Sequence, residues 1–405
     1  MSRRPLAGWI PGLLAPLLCG AIGSSHLAVA PAAPPPAAPP PALTPLQVHF
    51  IDVGTGDCIW IRTGDDGVPG NGRLEGYDIV IDGGDGGAFG RIDGYSFASE
   101  YLVQEDRLPS SSAIEWLILT HPHSDHCGGL PGFLEDYEVR NILDPGLDKQ
   151  EPGKPPDRLR PGTAYGKFFA AASAELDPDG QPARFLWGLP PGLHLDWGAE
   201  LTVSVFWSSR AIVGGDLNNV SIVLRLAFTD PGQDASFLFT GDAEEFIEGH
   251  LVVTRGDALR STVLKAGHHG SNSSTSEDFL RRVRPRHVVV SSGNQAFGGT
   301  LLPRPETFER IARVSDELGL ATAVWRTDRG DKEPLVKTVG SEGGDDTIVV
   351  TTFGRASDLT VRYASDPAPS GVVADPTRCQ ATTLAGAQCR RAPSAGSPFC
   401  WQHQP

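Results

Sequence analysis

From Leu46 onward, apolar positions fall in short runs broken by turn-forming residues. The runs "LQVHFIDV" and "CIWIRT" are separated by "GTGD" and predict a pair of strands. "YDIVIDGG" and "IEWLILTH" predict two more, each ending in polar residues. Between them "SFASEYLVQEDRL" reads as an amphipathic helix, and "GGLPGFLEDY" as a short helix further on. Residues 145–185, rich in Pro and Gly, read as a loop excursion over one face. A second series of strands follows: "AELTVSVFW", "NVSIVLRLAF", "ASFLFTGD", "STVLKAGHHG" and "HVVVSSG". "TSEDFLRRV" and "PETFERIARVSDELG" supply helices, and "DTIVVTTFG" and "DLTVRYA" read as closing strands. The pattern predicts an α/β protein of two comparable halves, with polar clusters at strand ends along one edge.

Composition adds limits. At 405 residues the chain can bury one large core and carry appendages. A net charge of −15 argues against a nonspecific electrostatic grip on nucleic acid. It leaves a phosphodiester substrate open, because bound cations reverse the local field.

The densest chemistry lies in "THPHSDHCGG" (120–129). In extended backbone His121 and His123 point the same way and can face one cation, while Asp125 and His126 turn toward a neighbouring position. Imidazole with carboxylate suits zinc, iron or manganese. Two further strand ends carry the same kind of residue: Asp242 in "FLFTGDAEE", placed to bridge two cations, and His268 and His269 in "VLKAGHHGS". Cys58 and Cys127 read as small buried hydrophobes.

These segments, with "FIDVGTGDC", "NNVSIVLRL" and "RTDRGD", resemble the metallo-β-lactamase fold, and within it the metallohydrolase domain of ComEC-type DNA-uptake competence proteins. The resemblance spans about residues 48–332. It implies a four-layer αββα sandwich with a dinuclear metal centre, zinc in the first place and manganese as the alternative. It implies His121 and His123 on the first cation, Asp125, His126 and His269 on the second, and Asp242 between them. His268 then faces substrate, although the residues alone do not say which of the two histidines ligates. Asp52 would orient ligands, and Asp57 would hold its turn. Asp125, His268 and Lys265 are the candidates for catalysis, the last two offering charge or a proton to a phosphate. Two departures stand out: "GGDLNNVS" lacks the usual histidine and has Asn219 there, and "QAFGGTLLPRPE" lacks a "GHP" element. The expected activity is phosphodiester hydrolysis, on a nucleic acid or a small molecule. Lactone or β-lactam hydrolysis is the alternative, and a non-catalytic metal-dependent binding protein is the reading from another class.

The chain ends suggest appendages to a main domain at 46–363. Residues 1–30, with Arg3 and Arg4 before a mostly apolar stretch and "AVA" at 28–30, read as a signal peptide for export. An uncleaved membrane anchor is the alternative; the mature chain is expected to have no membrane span. A Pro/Ala-rich linker follows at 31–45. After a linker at 364–378, Cys379, Cys389, Cys400 and His403 read as a small module (379–405) holding one structural zinc.

Overall fold

The structure, a computed structural model, describes residues 43–366 apart from 55, 69, 72–73, 88–92, 105–106, 111, 148–152, 190–192, 294–295, 298–299 and 329–345. The expected leader, nearly all of both linkers, and the four candidate ligands of the 379–405 module lie outside the described residues.

The first half runs β1 (Leu46–Phe50), β2 (Ile59–Arg62), β3 (Asp78–Ile81), α1 (Gly94–Val103), β4 (Ala113–Ile118), α2 (Ser124–Cys127) and α3 (Leu130–Asp136). It ends with β5 (Glu138–Asp144), α4 (Ala164–Ala174) and β6 (Arg184–Trp187). The second half runs β7 (Leu201–Trp207), β8 (Val223–Phe228), β9 (Ser236–Phe239), α5 (Glu245–Arg255), β10 (Val263–Lys265), α6 (Glu277–Val283) and β11 (His287–Val290). A hairpin, β12 (Ala296–Phe297) and β13 (Thr300–Leu301), precedes α7 (Pro305–Glu317) and β14 (Ala323–Arg326). The chain then returns as β15 (Ile348–Thr352) and β16 (Thr360–Tyr363).

The halves share one connectivity. β1, β2 and β3 pair antiparallel, and β4, β5 and β6 then add in parallel through helical crossovers. β7, β8 and β9 likewise pair antiparallel, with β10, β11 and β14 added in parallel. β15 and β16 extend the first sheet beside β1, giving eight strands against six. Strand alternation makes the layers. On β9, Phe237 and Phe239 enter the core between the sheets, while Leu238 meets the helices. α1, α3 and α4 cover the first sheet and α5, α6 and α7 the second, each through a separate buried cluster. The architecture is the αββα sandwich.

One expectation changes. Residues 145–185 are not a plain loop excursion: they hold α4, which crosses over to β6 as a parallel strand. Thr163 starts that helix, its hydroxyl accepting from Gly166 N–H at 3.0 Å.

Behind the site, Glu248 on α5 is fully buried and accepts backbone N–H groups of Thr275 and Ser276 at 2.5 and 2.7 Å, holding the turn that starts α6. Burial pushes its carboxyl up to about 7. The folded protein thus keeps a proton that the unfolded chain releases near pH 4.5, so this contribution to stability is complete below that pH and is lost as pH rises through about 7. Glu248→Gln is expected to weaken folding at every pH, since its amide faces a backbone N–H. It should also remove up to about 3 kcal/mol of the stability lost between pH 5 and 8. Denaturant unfolding at both pH values checks this; an undiminished loss in the variant would contradict it.

Candidate metal centre

The carboxyl ends of β3, β4, β9, β10 and β11 meet at one edge of the sandwich, where open α/β sheets place their ligands. Beyond β4 the chain bends over residues 120–122, is extended at His123, and then closes into the single turn α2. That course of the backbone sends the four candidate ligands of "HPHSDH" to neighbouring places. His121 and His123 lie side by side, Nε2 to Nδ1, at 3.0 Å.

Asp242, at the end of β9, stands at the middle. Its Oδ2 lies 3.7 Å from His121 Nε2, 3.2 Å from His126 Nε2 and 3.3 Å from His269 Nε2. His269 Nε2 lies 3.4 Å from Asp125 Oδ2 and 3.3 Å from His126 Nε2. Among the described residues three buried groups bring ligand atoms close enough to share an ion: His121, His126 and Asp242; Asp125, His126 and His269; and Asp57, Asp82 and His126.

The partners on the far side of each ring decide which nitrogen is presented. His269 Nδ1–H donates to the Ser291 carbonyl at 3.1 Å, which can only accept. His126 Nδ1–H donates to Asp82 Oδ2 at 2.7 Å. Thr120 gives both its N–H and its hydroxyl to Asp82, each at 2.7 Å. Its oxygen is then left to accept from His121 Nδ1–H at 3.2 Å. All three Nε2 lone pairs therefore point inward. His268 and His269 hold this pose with positive φ, 45° and 52°, an unfavourable backbone for residues with a Cβ.

The charge balance also asks for a cation. Burial alone would lower His126 and His269, but Asp242 and its neighbouring carboxylates outweigh it and hold both imidazoles well above their ordinary values. Burial opposes the charge on Asp242 and Asp125, yet the same histidines hold both carboxyls below the usual range. His121 is pushed well down by burial, which keeps it a neutral donor. Asp242 Oδ1 is buried and makes no hydrogen bond among the described residues. Imidazole nitrogens and carboxylate oxygens converging around such an atom fit a divalent metal.

Lys265 departs from its expected place. Strand alternation turns it into the core end of the site, where it is fully buried, with Nζ 2.6 Å from Asp57 Oδ2 and 3.9 Å from Asp242 Oδ1. It also donates to the Gly241 carbonyl at 3.2 Å. Its charge acts on the carboxylates beneath the centre, not on an incoming phosphate. Asp57 therefore does more than hold its turn. Burial would raise its carboxyl, but Lys265 outweighs this and holds it below the usual value. Asp52 Oδ1 accepts from Gly54 N–H at 3.0 Å and its Oδ2 from Asp346 N–H at 3.5 Å, which steadies its own loop. That loop passes under the centre at Gly56, where a Cβ would meet the Asp125 carbonyl at 1.8 Å and φ is +102°.

His268 takes the rim. Its Nδ1 is 3.0 Å from Glu244 Oε1, which also accepts from Ser273 Oγ at 2.7 Å. Asn218 Nδ2 approaches the same ring at 3.4 Å. Asn219 instead accepts from Glu244 N–H at 3.2 Å and supports α5. Asp82, Glu244 and Asn218 were not singled out from sequence. Asp82 alone left a trace, as the carboxylate ending the apolar run of "IVIDGG".

Residues 73–293 match the family model of the metallo-beta-lactamase superfamily. Over 200 residues the chain is 28% identical to Recombination protein 2 of Haemophilus influenzae, covering 49% of this chain and 20% of that protein. It is 27% identical over 255 residues to ComE operon protein 3 of Bacillus subtilis, covering 61% of this chain and 28% of that one. The chain thus spans well under a third of the length of these curated relatives. Among solved structures, unliganded yeast PDE1 is 12% identical, with a TM-score of 0.40 over 70% of this chain and 97% of that one. With the matched segment covering more than half of the sequence and containing most of the site, the chain belongs to the metallo-beta-lactamase superfamily.

Proposed function

We propose that this protein is a hydrolase that uses two divalent cations to cleave phosphodiester bonds. His121, His123 and Asp242 hold one cation; Asp125, His126 and His269 hold the other, with Asp242 shared. The observation that carries the proposal is the convergence of His121, His126, Asp125, His269 and Asp242, from three separate strand ends, onto one buried point. Zinc suits these mixed donors, and manganese is the alternative. Bound there, such a pair supplies an activated water and stabilises a developing oxyanion.

The chain's own groups do the rest. Asp82 and the Ser291 carbonyl fix the ring orientations, and Lys265 balances the carboxylates from below. His268, held by Glu244 at the rim, stands where it can hold a proton for the leaving oxygen. The competence and recombination names of the relatives favour a nucleic-acid phosphodiester over a lactone or β-lactam. Export through residues 1–30, and a structural zinc on Cys379, Cys389, Cys400 and His403, belong to the same proposal.

A chromogenic phosphodiester, a lactone and a β-lactam, each with and without chelator, test the activity. The phosphodiester is expected to turn over fastest, and chelator to stop it. Faster turnover of either other substrate, or hydrolysis indifferent to chelator, would contradict the proposal.

A further inference from the structure

One large apolar ring stands open beside the centre. Phe246, in the first turn of α5, is 61% exposed. The helix turns Ile247 and Leu251 into the core and leaves position 246 on its solvent side. One turn further along, His250 packs edge-on against Trp207 with ring centroids 5.1 Å apart, whereas Phe246 has no ring or cation over it among the described residues. What the ring runs beside is bare backbone. Gly214 and Gly215 both take positive φ, 66° and 81°, in the turn that Val213 and Asp216 close. A Cβ on Gly214 would sit 3.6 Å from Phe246 Cγ and 3.4 Å from Asn219 Nδ2. The two glycines thus line the ring and add no side chain to cover it.

The same contacts tie the ring to the site. Asn219 Oδ1 accepts from Glu244 N–H at 3.2 Å, and the Asn219 carbonyl accepts from the Trp207 indole at 2.9 Å. Glu244 in turn holds His268 at the rim. Glu244 and Phe246 are two Cα steps apart, at most about 7.6 Å. A chain that lies at the metals and passes His268 therefore meets Phe246 next. The surroundings are not basic: Glu245 beside the ring is exposed, and the whole chain carries −15. A polyanionic strand at this rim has to be held by something other than charge. Stacking of a base on a phenyl ring is such a hold, and it tolerates any sequence. A small alkyl ester has no flat face to lay there.

We infer that Phe246 is a stacking platform for a nucleobase next to the scissile phosphate of a single-stranded nucleic acid. The inference rests on the phosphodiesterase reading for what lies at the metals, but its binding test does not need turnover. The full chain, loaded with manganese, is titrated into a labelled oligothymidylate whose phosphorothioate linkages resist hydrolysis. The matching abasic strand is titrated in parallel, and both are followed by fluorescence anisotropy over a range of salt.

Phe246→Ala is expected to weaken binding of the base-bearing strand about tenfold, and Phe246→Trp to keep it within about twofold of wild type. Stacking releases no counterions, so the slope of log affinity against log salt should be the same in wild type and Phe246→Ala. The abasic strand should bind both proteins equally, and thermal unfolding should be unchanged at so exposed a position. Absence of binding by the wild-type chain, an affinity unaltered in Phe246→Ala, or an equal loss on the abasic strand would overturn the platform. Phe246-dependent binding with no cleavage of unmodified strand by the loaded protein would support the platform and defeat the catalytic reading.

Discussion

Replacing Asp242 with asparagine is expected to lower turnover by at least about a thousandfold, roughly 4 kcal/mol in the barrier, while leaving the fold in place. The amide keeps the shape of the carboxylate, so the packing at the end of β9 and the bond from Asp242 N–H to Ser221 Oγ survive. What it loses is the negative charge. One Asp242 oxygen lies within 3.7 Å of three inward-facing imidazole nitrogens that come from two separate strand ends. No neutral group can serve two cations from that position. Metal content of the variant is expected to fall to one ion or fewer in the main site. Wild-type turnover with full metal content in Asp242→Asn would remove the residue from the role assigned to it.

The largest effect on stability is expected at Lys265. Its ammonium and the Asp57 carboxylate are both buried, 2.6 Å apart, with the side chains 0% and 2% exposed. Lys265→Met fills similar volume but leaves Asp57 as an uncompensated buried charge, at a cost of about 3–5 kcal/mol. Removing both charges, in Lys265→Met with Asp57→Asn, takes away the stranded carboxylate and is expected to recover at least half of that loss. Denaturant unfolding of the metal-free proteins measures both. Equal destabilisation in the single and double variants would show that Lys265 acts through something other than Asp57.

The residues legible from sequence were those whose chemistry is local. Three histidines and an aspartate within "HPHSDH" declare a metal loop whatever surrounds them, and Asp242 and His269 stood out because each ends an apolar run. The layered fold followed from period-two runs alternating with helical ones. Partners far apart in the chain were not legible. Asp82 orients His126 across 44 positions, and Lys265 meets Asp57 across more than 200, so no periodicity links them. Lys265 read as a group for substrate because a cation ending a strand gives no sign of which layer its strand occupies. Between His268 and His269 the residue types are identical; the Ser291 carbonyl and the Glu244 carboxylate separate them. α4 was hidden by the Pro- and Gly-rich stretch before it, and the matching connectivity of the halves is carried by strand pairing, with no repeated residues to show it.

The central claim is a two-cation hydrolytic centre built from His121, His123, Asp125, His126, Asp242 and His269. Titrating chelator-stripped protein with manganese tests it most directly, because this hard ion is poorly served by the thiolates of the C-terminal cysteines. Bound manganese and phosphodiester turnover are followed together. The account predicts saturation at two ions per chain, with turnover rising as the second site fills. Saturation at one ion or none, or turnover independent of added metal, would contradict it.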